Sequence, residues 1–352
     1  MAQTEKAQGS VPVAALSGYA ASIFEKLGVA VESAGITARA LVAADLEGIP
    51  SHGVMLVPMY VDRILAGSVS TASAARLVQD SGPIMVLDAG HALGQVTSHQ
   101  AVSLACERAR EHGMASVAVR NGFHFGTAGY WARAIAERGF VAIVMSNTRP
   151  LMPASGGVQR LVGNNPLAIA VPSAGEPPLL LDMATSATAM GRIRLADAAG
   201  QAIPEGWALD DQGRSTTDAA AAIKGMLLPA AGPKGFGLAV MIDLLCGGLS
   251  GGAIADEVQM LYGDPSASYG CAHLFLALNA EGFGVGAEFP ARTAKLAQKI
   301  RASRRAPGVE GIYAPGDIER ERAAANGERC PVSADTLSKL AASGRRIGIP
   351  WT

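Results

Sequence analysis

At 352 residues the chain exceeds the usual size of one compact domain, so two units are expected, each able to bury its own core. Hydrophobic residues make up 49% and charged residues 17%, which excludes a disordered chain, and 29 Lys and Arg against 30 Asp and Glu remove the electrostatic case for nucleic acid or an anionic membrane as main partner. A small neutral or anionic metabolite suits that balance better.

The chain begins MAQTEKAQGSVPVAAL, with no long apolar core for a secretory signal. Val13 to Leu27 has the spacing of an amphipathic helix, with Leu16, Ala20, Ile23, Phe24 and Leu27 on one stripe and Gly28 as its stop. Thr37 is read as the cap of a second helix running through Leu46, ended by Gly48 and Pro50. A third helix is expected over Val57 to Leu65, which puts Ser51-His52-Gly53 in a tight helix-to-helix connection. Near Arg76 the pattern turns from helical to alternating, and a domain boundary is placed there.

Strands are expected over Ile84 to Ala89, Ser116 to Arg120, Val141 to Met145, Leu167 to Val171 and Leu179 to Met183, with helices over Gln95 to His112 and around Tyr130, Trp131 and Ile135. A helix over Ser186 to Ala196, a polar span Gly200 to Thr217 with an Ala-biased run after it, a strongly apolar helix Lys234 to Leu249 and a last strand Leu274 to Asn279 follow. Phe236 to Leu249 is interrupted by Asp243 and falls short of the ~20 residues a membrane span needs. Amphipathic helices over Pro290 to Ser303, Asp317 to Ala325 and Ala334 to Ala342, the last capped by Ser333, complete the chain. Residues 1–76 and 285–352 are expected to form one helical domain, and 77–284 a central cofactor-binding and catalytic domain.

Six histidines, His52, His91, His99, His112, His124 and His273, show neither H-x-x-x-H nor H-E-x-x-H spacing, so no metal site is expected. Cys106, Cys246, Cys271 and Cys330 form no C-x-x-C pair, which favours reduced thiols and a cytoplasmic location. There is no G-x-S-x-G elbow, no P-loop and no G-x-G-x-x-G after a strand. Any dinucleotide must therefore be held by something other than a Rossmann loop.

Several stretches carry chemistry. His52 is a candidate proton donor or acceptor, its ordinary pKa of ~6.5 being poised near neutrality, although a histidine that merely caps a helix end fits the same pattern. Asn121 to Gly126 contains His124 at a strand-to-helix junction, where backbone N–H groups suit an anion such as pyrophosphate; an ordinary turn with a buried histidine is the competing reading. Asp182 closes an apolar strand, where its carboxylate either orients an imidazole or ribose hydroxyl or caps the helix expected at Ser186. Lys234 offers a cation at the mouth of an apolar helix. Arg149, just past a strand end, either holds a substrate carboxylate through its bidentate fork or lies on the surface.

In this order, DLEGIPSHGVMLVPMYVDRI, VRNGFHFGTAGYWA, SNTRPLMPASGG, VGNNPLAIAVP, LLLDMATSA, IPEGWALDDQG and LPAAGPKGFGLAVMIDLL resemble the malate/L-lactate dehydrogenase family that is unrelated to the Rossmann lactate dehydrogenases. Its members include ureidoglycolate, sulfolactate and diketogulonate oxidoreductases and piperideine-2-carboxylate reductases. The resemblance implies a dimeric enzyme using NAD or NADP, of α/β (α+β-like) class, whose cofactor domain is built on a mixed, largely antiparallel sheet. It implies His52 as the acid/base residue with Ser51 and Asp182 as relay partners, and His124 as a second acid/base candidate. It further implies that His124, Phe125, Gly126, Thr127 and Ala128 line the nicotinamide and phosphate site, and that Ser146, Asp182, Met183, Ala184 and Lys234 contact the cofactor.

The reaction implied is interconversion of a small 2-hydroxy acid and its 2-oxo acid by hydride transfer. The alternatives are an NADPH-dependent reductase of cyclic imine acids and, more remotely, a non-catalytic metabolite-binding protein on the same fold. One departure bears on the substrate. Many members read S-H-G-x-x-R, whose Arg is expected to grip the substrate carboxylate, and this chain has Leu56 there. Truncating such a buried charge contact costs ~2 to 5 kcal/mol, so Arg149 is expected to replace it. Asn164 in Gly163-Asn164-Asn165-Pro166 stands where many relatives have Thr, with little consequence expected.

Overall fold

The computed structural model describes residues 8–351. In chain order its elements are β1 (Gln8–Pro12), α1 (Val13–Lys26), α2 (Val31–Leu46), α3 (Val57–Leu65), β2 (Arg76–Asp80), β3 (Ile84–Asp88), α4 (Gly94–His112), β4 (Met114–Gly122), α5 (Ala128–Ala136), β5 (Val141–Ser146), β6 (Leu167–Val171) and β7 (Leu179–Met183). There follow α6 (Met190–Ala198), β8 (Ala208–Leu209), β9 (Ser215–Thr216), α7 (Ala219–Lys224), β10 (Met226–Leu227), α8 (Pro233–Asp243), β11 (Cys271–Leu278), α9 (Glu288–Arg301), α10 (Asp317–Asn326), β12 (Arg329–Ser333) and α11 (Ala334–Arg346).

The main sheet has seven strands in the order β2-β3-β4-β11-β5-β6-β7, and only the β3–β4 pair is parallel. This is the mixed, largely antiparallel sheet expected. β11 sits at its centre, pairing His273 with Val119 of β4 and with Ser146 of β5. Alternation of small and branched residues lets α4 and α5 close on one face, around Val117, Val119, Trp131, Val144 and Phe275. The other face receives α8 through Ile242, and the π turn after it through Cys246, against Met145 and Leu274.

Both chain ends build a helical layer. β1 pairs antiparallel with β12, from Gln8 opposite Ser333 to Pro12 opposite Arg329, and α2 is tied to the α10 end by Asn326 Nδ2 donating to Leu46 O at 2.8 Å. Leu16, Phe24, Leu41, Leu56, Val61, Val332 and Leu340 share its core, which continues into Phe123, Tyr269 and Cys271 on the sheet side. A smaller lobe packs α6, α7 and the short β8–β10 sheet around Ile193, Ala208, Ala222 and Leu227. Among the described residues no helix is long and apolar enough to cross a membrane, and no group of His, Cys, Asp and Glu side chains is placed to hold a metal ion.

Three elements differ from their sequence reading. α2 begins at Val31, and Thr37 is not its cap: it lies inside the helix, donating its hydroxyl to Ser33 O at 2.9 Å. The helix expected over Ser186 to Ala196 starts only at Met190, because Ser186 and Ala187 are used as extended chain against Leu228 and Pro229. The helix expected over Lys234 to Leu249 becomes a π turn at Leu244–Gly248, where a Cβ on Gly247 would lie 2.2 Å from Ala253 O. The Ala-biased run is helix α7, capped by Asp218, whose carboxylate accepts from Ala220 N and Ala221 N.

Candidate active site

Gly48 in a left-handed turn and Pro50 at the start of a 3-10 turn stop α2 and deliver Ser51 and His52 to the edge of a cleft between the helical layer and the sheet. Gly53 does not turn through positive φ; it is a glycine because Asp45 lies behind it, and a Cβ there would sit 2.1 Å from Asp45 Oδ1. The Asp45 carboxylate also accepts from Val54 N at 2.8 Å, and burial pushes its pKa up to about 7.

His124 reaches the same cleft from the β4–α5 connection. The His52 and His124 rings stack with centroids 5.4 Å apart and planes 30° apart. Ser51 Oγ lies 3.0 Å from His52 Nδ1, and Tyr60 Oη lies 2.8 Å from His124 Nδ1. Tyr60 accepts in turn from Gln95 Nε2 at 3.0 Å. Burial lowers the His52 pKa to about 4, and burial, then His52, then His273 hold His124 well below the usual histidine range. Both rings are thus neutral at pH 7, each with Nδ1 engaged by a hydroxyl.

A third imidazole lies beneath them. His273 is fully buried, stacks on Phe125 at 4.3 Å, and has Nδ1 2.8 Å from Ser146 Oγ and Nε2 3.2 Å from Phe123 O. Two expectations change as a result. The Phe125 side chain is core, so its only route to a ligand is its backbone, and the Ser146 hydroxyl is turned inward to His273, not toward the cleft.

Asp182 is also placed differently from its expected role. Its carboxylate accepts from Gly129 N at 2.8 Å in the first turn of α5, with no bond to His52, and it does not cap α6, whose N-cap is Ala189. Desolvation by the groups that crowd its carboxyl raises its pKa to about 6, against the lowering effect of the Gly129 bond. Gly126, Thr127 and Ala128 form the entry to α5, with Gly126 at φ +86°, while Met183 and Ala184 are half-buried beside Asp182. Just beyond them the buried hydroxyls of Thr185 and Thr188 have no hydrogen-bond partner. Lys234 is exposed in the first turn of α8.

Arg149 is half-buried on a pinned loop. Asn147 Nδ2 donates to Asp243 Oδ1 at 2.7 Å, Thr148 N to Asn165 Oδ1 at 2.8 Å, and Asn165 Nδ2 to Ala239 O at 2.9 Å. Asn164, expected to matter little, accepts from Thr148 Oγ1 at 3.1 Å and so belongs to the same brace. Leu56 is buried in the helical core and offers the cleft nothing polar. Sequence reading missed Tyr60, Asp45 and Arg63. The fully buried Arg63 guanidinium donates to Met260 O, Leu261 O and Ala267 O at 2.7 to 3.1 Å, fixing a loop that leads to Tyr262 and Tyr269. The one available signal was the Tyr60–Arg63 step, which places both on one face of α3.

A family model described as malate/L-lactate dehydrogenase matches residues 11–341. A malate dehydrogenase of Pyrococcus abyssi is 37% identical over 350 residues, 96% of this chain and 95% of its own. An L-sulfolactate dehydrogenase of Methanocaldococcus jannaschii is 37% identical over 297 residues, 84% of this chain and 85% of its own. The solved structure of sulfolactate dehydrogenase from that organism matches with a TM-score of 0.91 at 33% identity, covering 97% of this chain and 98% of that one.

Replacing Gly53 by Ala forces a Cβ against the Asp45 carboxyl and displaces His52. The Gly53→Ala protein is expected to lose at least about tenfold in kcat while keeping its far-UV circular dichroism, a misplacement effect of the kind that costs up to ~100-fold. Full activity in this variant would show that the His52 position does not depend on the contact.

Proposed function

The chain belongs to the malate/L-lactate dehydrogenase family and is an NAD(P)-dependent oxidoreductase, and from that premise we propose that it interconverts a small 2-hydroxy acid and its 2-oxo acid, with His52 moving the proton. The observation that carries the reading is the stacked His52–His124 pair, two neutral imidazoles brought together from the α2–α3 turn and the β4–α5 connection, each held at Nδ1 by a hydroxyl. The bound nicotinamide supplies the hydride acceptor or donor. Gly126 to Ala128, Asp182 to Ala184 and Lys234 are the residues that hold the dinucleotide, NAD or NADP. The unpartnered hydroxyls of Thr185 and Thr188 fit a polar ligand there.

In oxidation, neutral His52 accepts the hydroxyl proton at Nε2; in reduction it returns one. The Ser51 hydroxyl both donates and accepts, so it steadies either tautomer of the ring at Nδ1. His124, locked by Tyr60, is the second acid/base candidate, and two charged imidazoles at this separation oppose each other, so the pair carries one proton at most at working pH. Arg149 takes the substrate carboxylate in place of the Arg absent at Leu56. Malate dehydrogenase and sulfolactate dehydrogenase activities among the relatives support a 2-hydroxy acid as substrate. We place the enzyme in the cytoplasm, a location suited to four buried free cysteines. A homodimer is proposed from the exposed apolar face of α8 and its π turn, Leu238, Met241, Leu244, Leu245 and Leu249.

The deciding experiment pairs NADH and NADPH with 2-oxo acids and with pyrroline- and piperideine-2-carboxylate, following absorbance; turnover of the cyclic imines alone would replace the 2-hydroxy acid reading by the imine reductase one. His52→Asn is expected to lose about 100- to 10,000-fold in kcat while still binding NADH by fluorescence, and near wild-type turnover would remove His52 from the role. Because burial lowers its pKa, the acidic limb of kcat/KM for hydroxy acid oxidation is expected near pH 4 and absent near 6.5, activity falling as pH drops through the lowered value. Arg149→Ala should raise KM for the preferred acid about tenfold or more, and an unchanged KM would refute its carboxylate role. Leu245→Asp is expected to convert a dimer to monomer in light scattering; a wild-type monomer would overturn the dimer.

A further inference from the structure

His124 is gripped from behind by groups that the reaction as described does not use. α4 starts hard against its peptide: a Cβ on Gly94 would lie 2.2 Å from Phe123 O and 2.5 Å from His124 O, so the helix comes this close only because that residue is glycine. The next residue, Gln95, is fully buried; its Nε2 donates to Tyr60 Oη at 3.0 Å, while its Oε1 has no partner. Leaving a buried amide oxygen unpaired is costly, so the side chain is there for its other end. Tyr60 Oη, fully buried as well, lies 2.8 Å from His124 Nδ1 and 3.1 Å from His124 O. Gly126 N donates to the same Nδ1 at 3.4 Å.

These contacts fix which nitrogen of His124 carries the proton. A backbone N–H can only donate, so the Gly126 contact requires a bare lone pair at Nδ1. The single phenol hydrogen of Tyr60 then goes to Nδ1, the nearer of its two acceptors, and the phenol oxygen receives the Gln95 amide hydrogen in return. Hydrogen bonds running in one direction strengthen one another. Burial pushes the Tyr60 pKa far up, so the phenol keeps its hydrogen. A neutral imidazole bare at Nδ1 has its proton on Nε2. Among the described residues His124 Nε2 has no partner, and it is not one of the buried polar atoms left without one, so this N–H reaches the accessible surface. His52 is held differently, because the Ser51 hydroxyl serves either tautomer.

We propose that Gln95 is a positioning residue which, through Tyr60, latches His124 with its proton on Nε2, so that the stacked histidines have different duties: His124 gives a hydrogen bond to an oxygen of the bound acid, and His52 alone exchanges a proton with it. This division rests on the 2-hydroxy acid reading above, whereas the latch belongs to the resting protein. His124 has no free lone pair at Nε2 with which to take a proton. To give one up and stay neutral it would have to draw the Tyr60 hydrogen onto Nδ1 and leave a buried phenolate, which desolvation opposes. A donor set in advance counts most where negative charge grows on the reacting oxygen between its hydroxyl and oxo forms. The latch also removes the competition of two neighbouring imidazoles for one proton.

The test is the nitrogen-15 spectrum of the full chain labelled at histidine, at about pH 7 without ligand, His124 being identified by its absence from His124→Gln. A bare-nitrogen shift at Nδ1 and a proton-bearing shift at Nε2 are expected; the reverse assignment, or two averaged shifts, overturns the latch. Tyr60→Phe and Gln95→Met should each move the two shifts toward their average and cut kcat for 2-oxo acid reduction about 2- to 10-fold, the worth of one net hydrogen bond, with the KM of NADH or NADPH unchanged. The double variant should lose no more than Tyr60→Phe alone, and losses that multiply would show that Gln95 does not act through Tyr60, which overturns its assignment. Glutamine donates a hydrogen bond but cannot exchange a proton. His124→Gln should therefore recover about tenfold or more of the kcat lost in His124→Ala, while His52→Gln recovers none of the loss in His52→Ala. No recovery at His124, or an equal recovery at His52, overturns the division of duties. If no acid is turned over, the 2-hydroxy acid reading and the donor role toward it fall together, and the resting spectrum still decides the latch.

Discussion

The arrangement turns on one buried cation. Arg63 is 1% exposed, and its guanidinium donates to backbone carbonyls of Met260, Leu261 and Ala267 with no carboxylate in contact. Removing an arginine from water costs several kcal/mol after relaxation, and charged hydrogen bonds of ~1.5–3 kcal/mol each offset that only when nearly all the donors are met. The loop must therefore hold its carbonyls inward, which sets the path into β11. α3 thus couples two sides of the cleft: Arg63 fixes the loop ahead of Tyr269, and Tyr60 on the same helix fixes His124. Arg133 bonded to Glu47 adds a second brace, between α5 and the end of α2.

Burial then sets the charge of the site. The same desolvation that lowers the histidine pKa values raises those of Asp45 and Asp182, so each tends toward its neutral form. Arginine is the exception because its proton is too tightly held to be lost. The two histidines are therefore held neutral, while Arg149, half-buried on its own loop, keeps its charge.

Much of the fold was legible where glycine and proline punctuate it. α3, β6 and β7 have the bounds that the apolar spacing predicts, and His52 and His124 fall in connections because breakers surround them. What stayed hidden depends on partners remote in sequence. Tyr60 meets His124 across 64 residues and Arg63 meets Leu261 across 198, and neither separation leaves a local pattern. Phe125 and Ser146 stood beside the right residues but faced the core, since adjacency in the chain does not fix side-chain direction. β2 is an exposed edge strand without apolar alternation, and β1 and β12 form a short ribbon that only their pairing defines.

That ribbon has a bearing on how the enzyme is made. α2, which delivers His52, leans on β12 and is held at its end by Asn326, 280 residues away from Leu46. On a ribosome, where chains emerge from the N-terminus and domains fold as units, the scaffold of the Ser51–His52 turn waits unfinished while the whole sheet is synthesised. The apolar faces of α1 and α2 must then be shielded until β12 and α11 appear. His52, encoded early, reaches its final setting only when almost everything else has been translated.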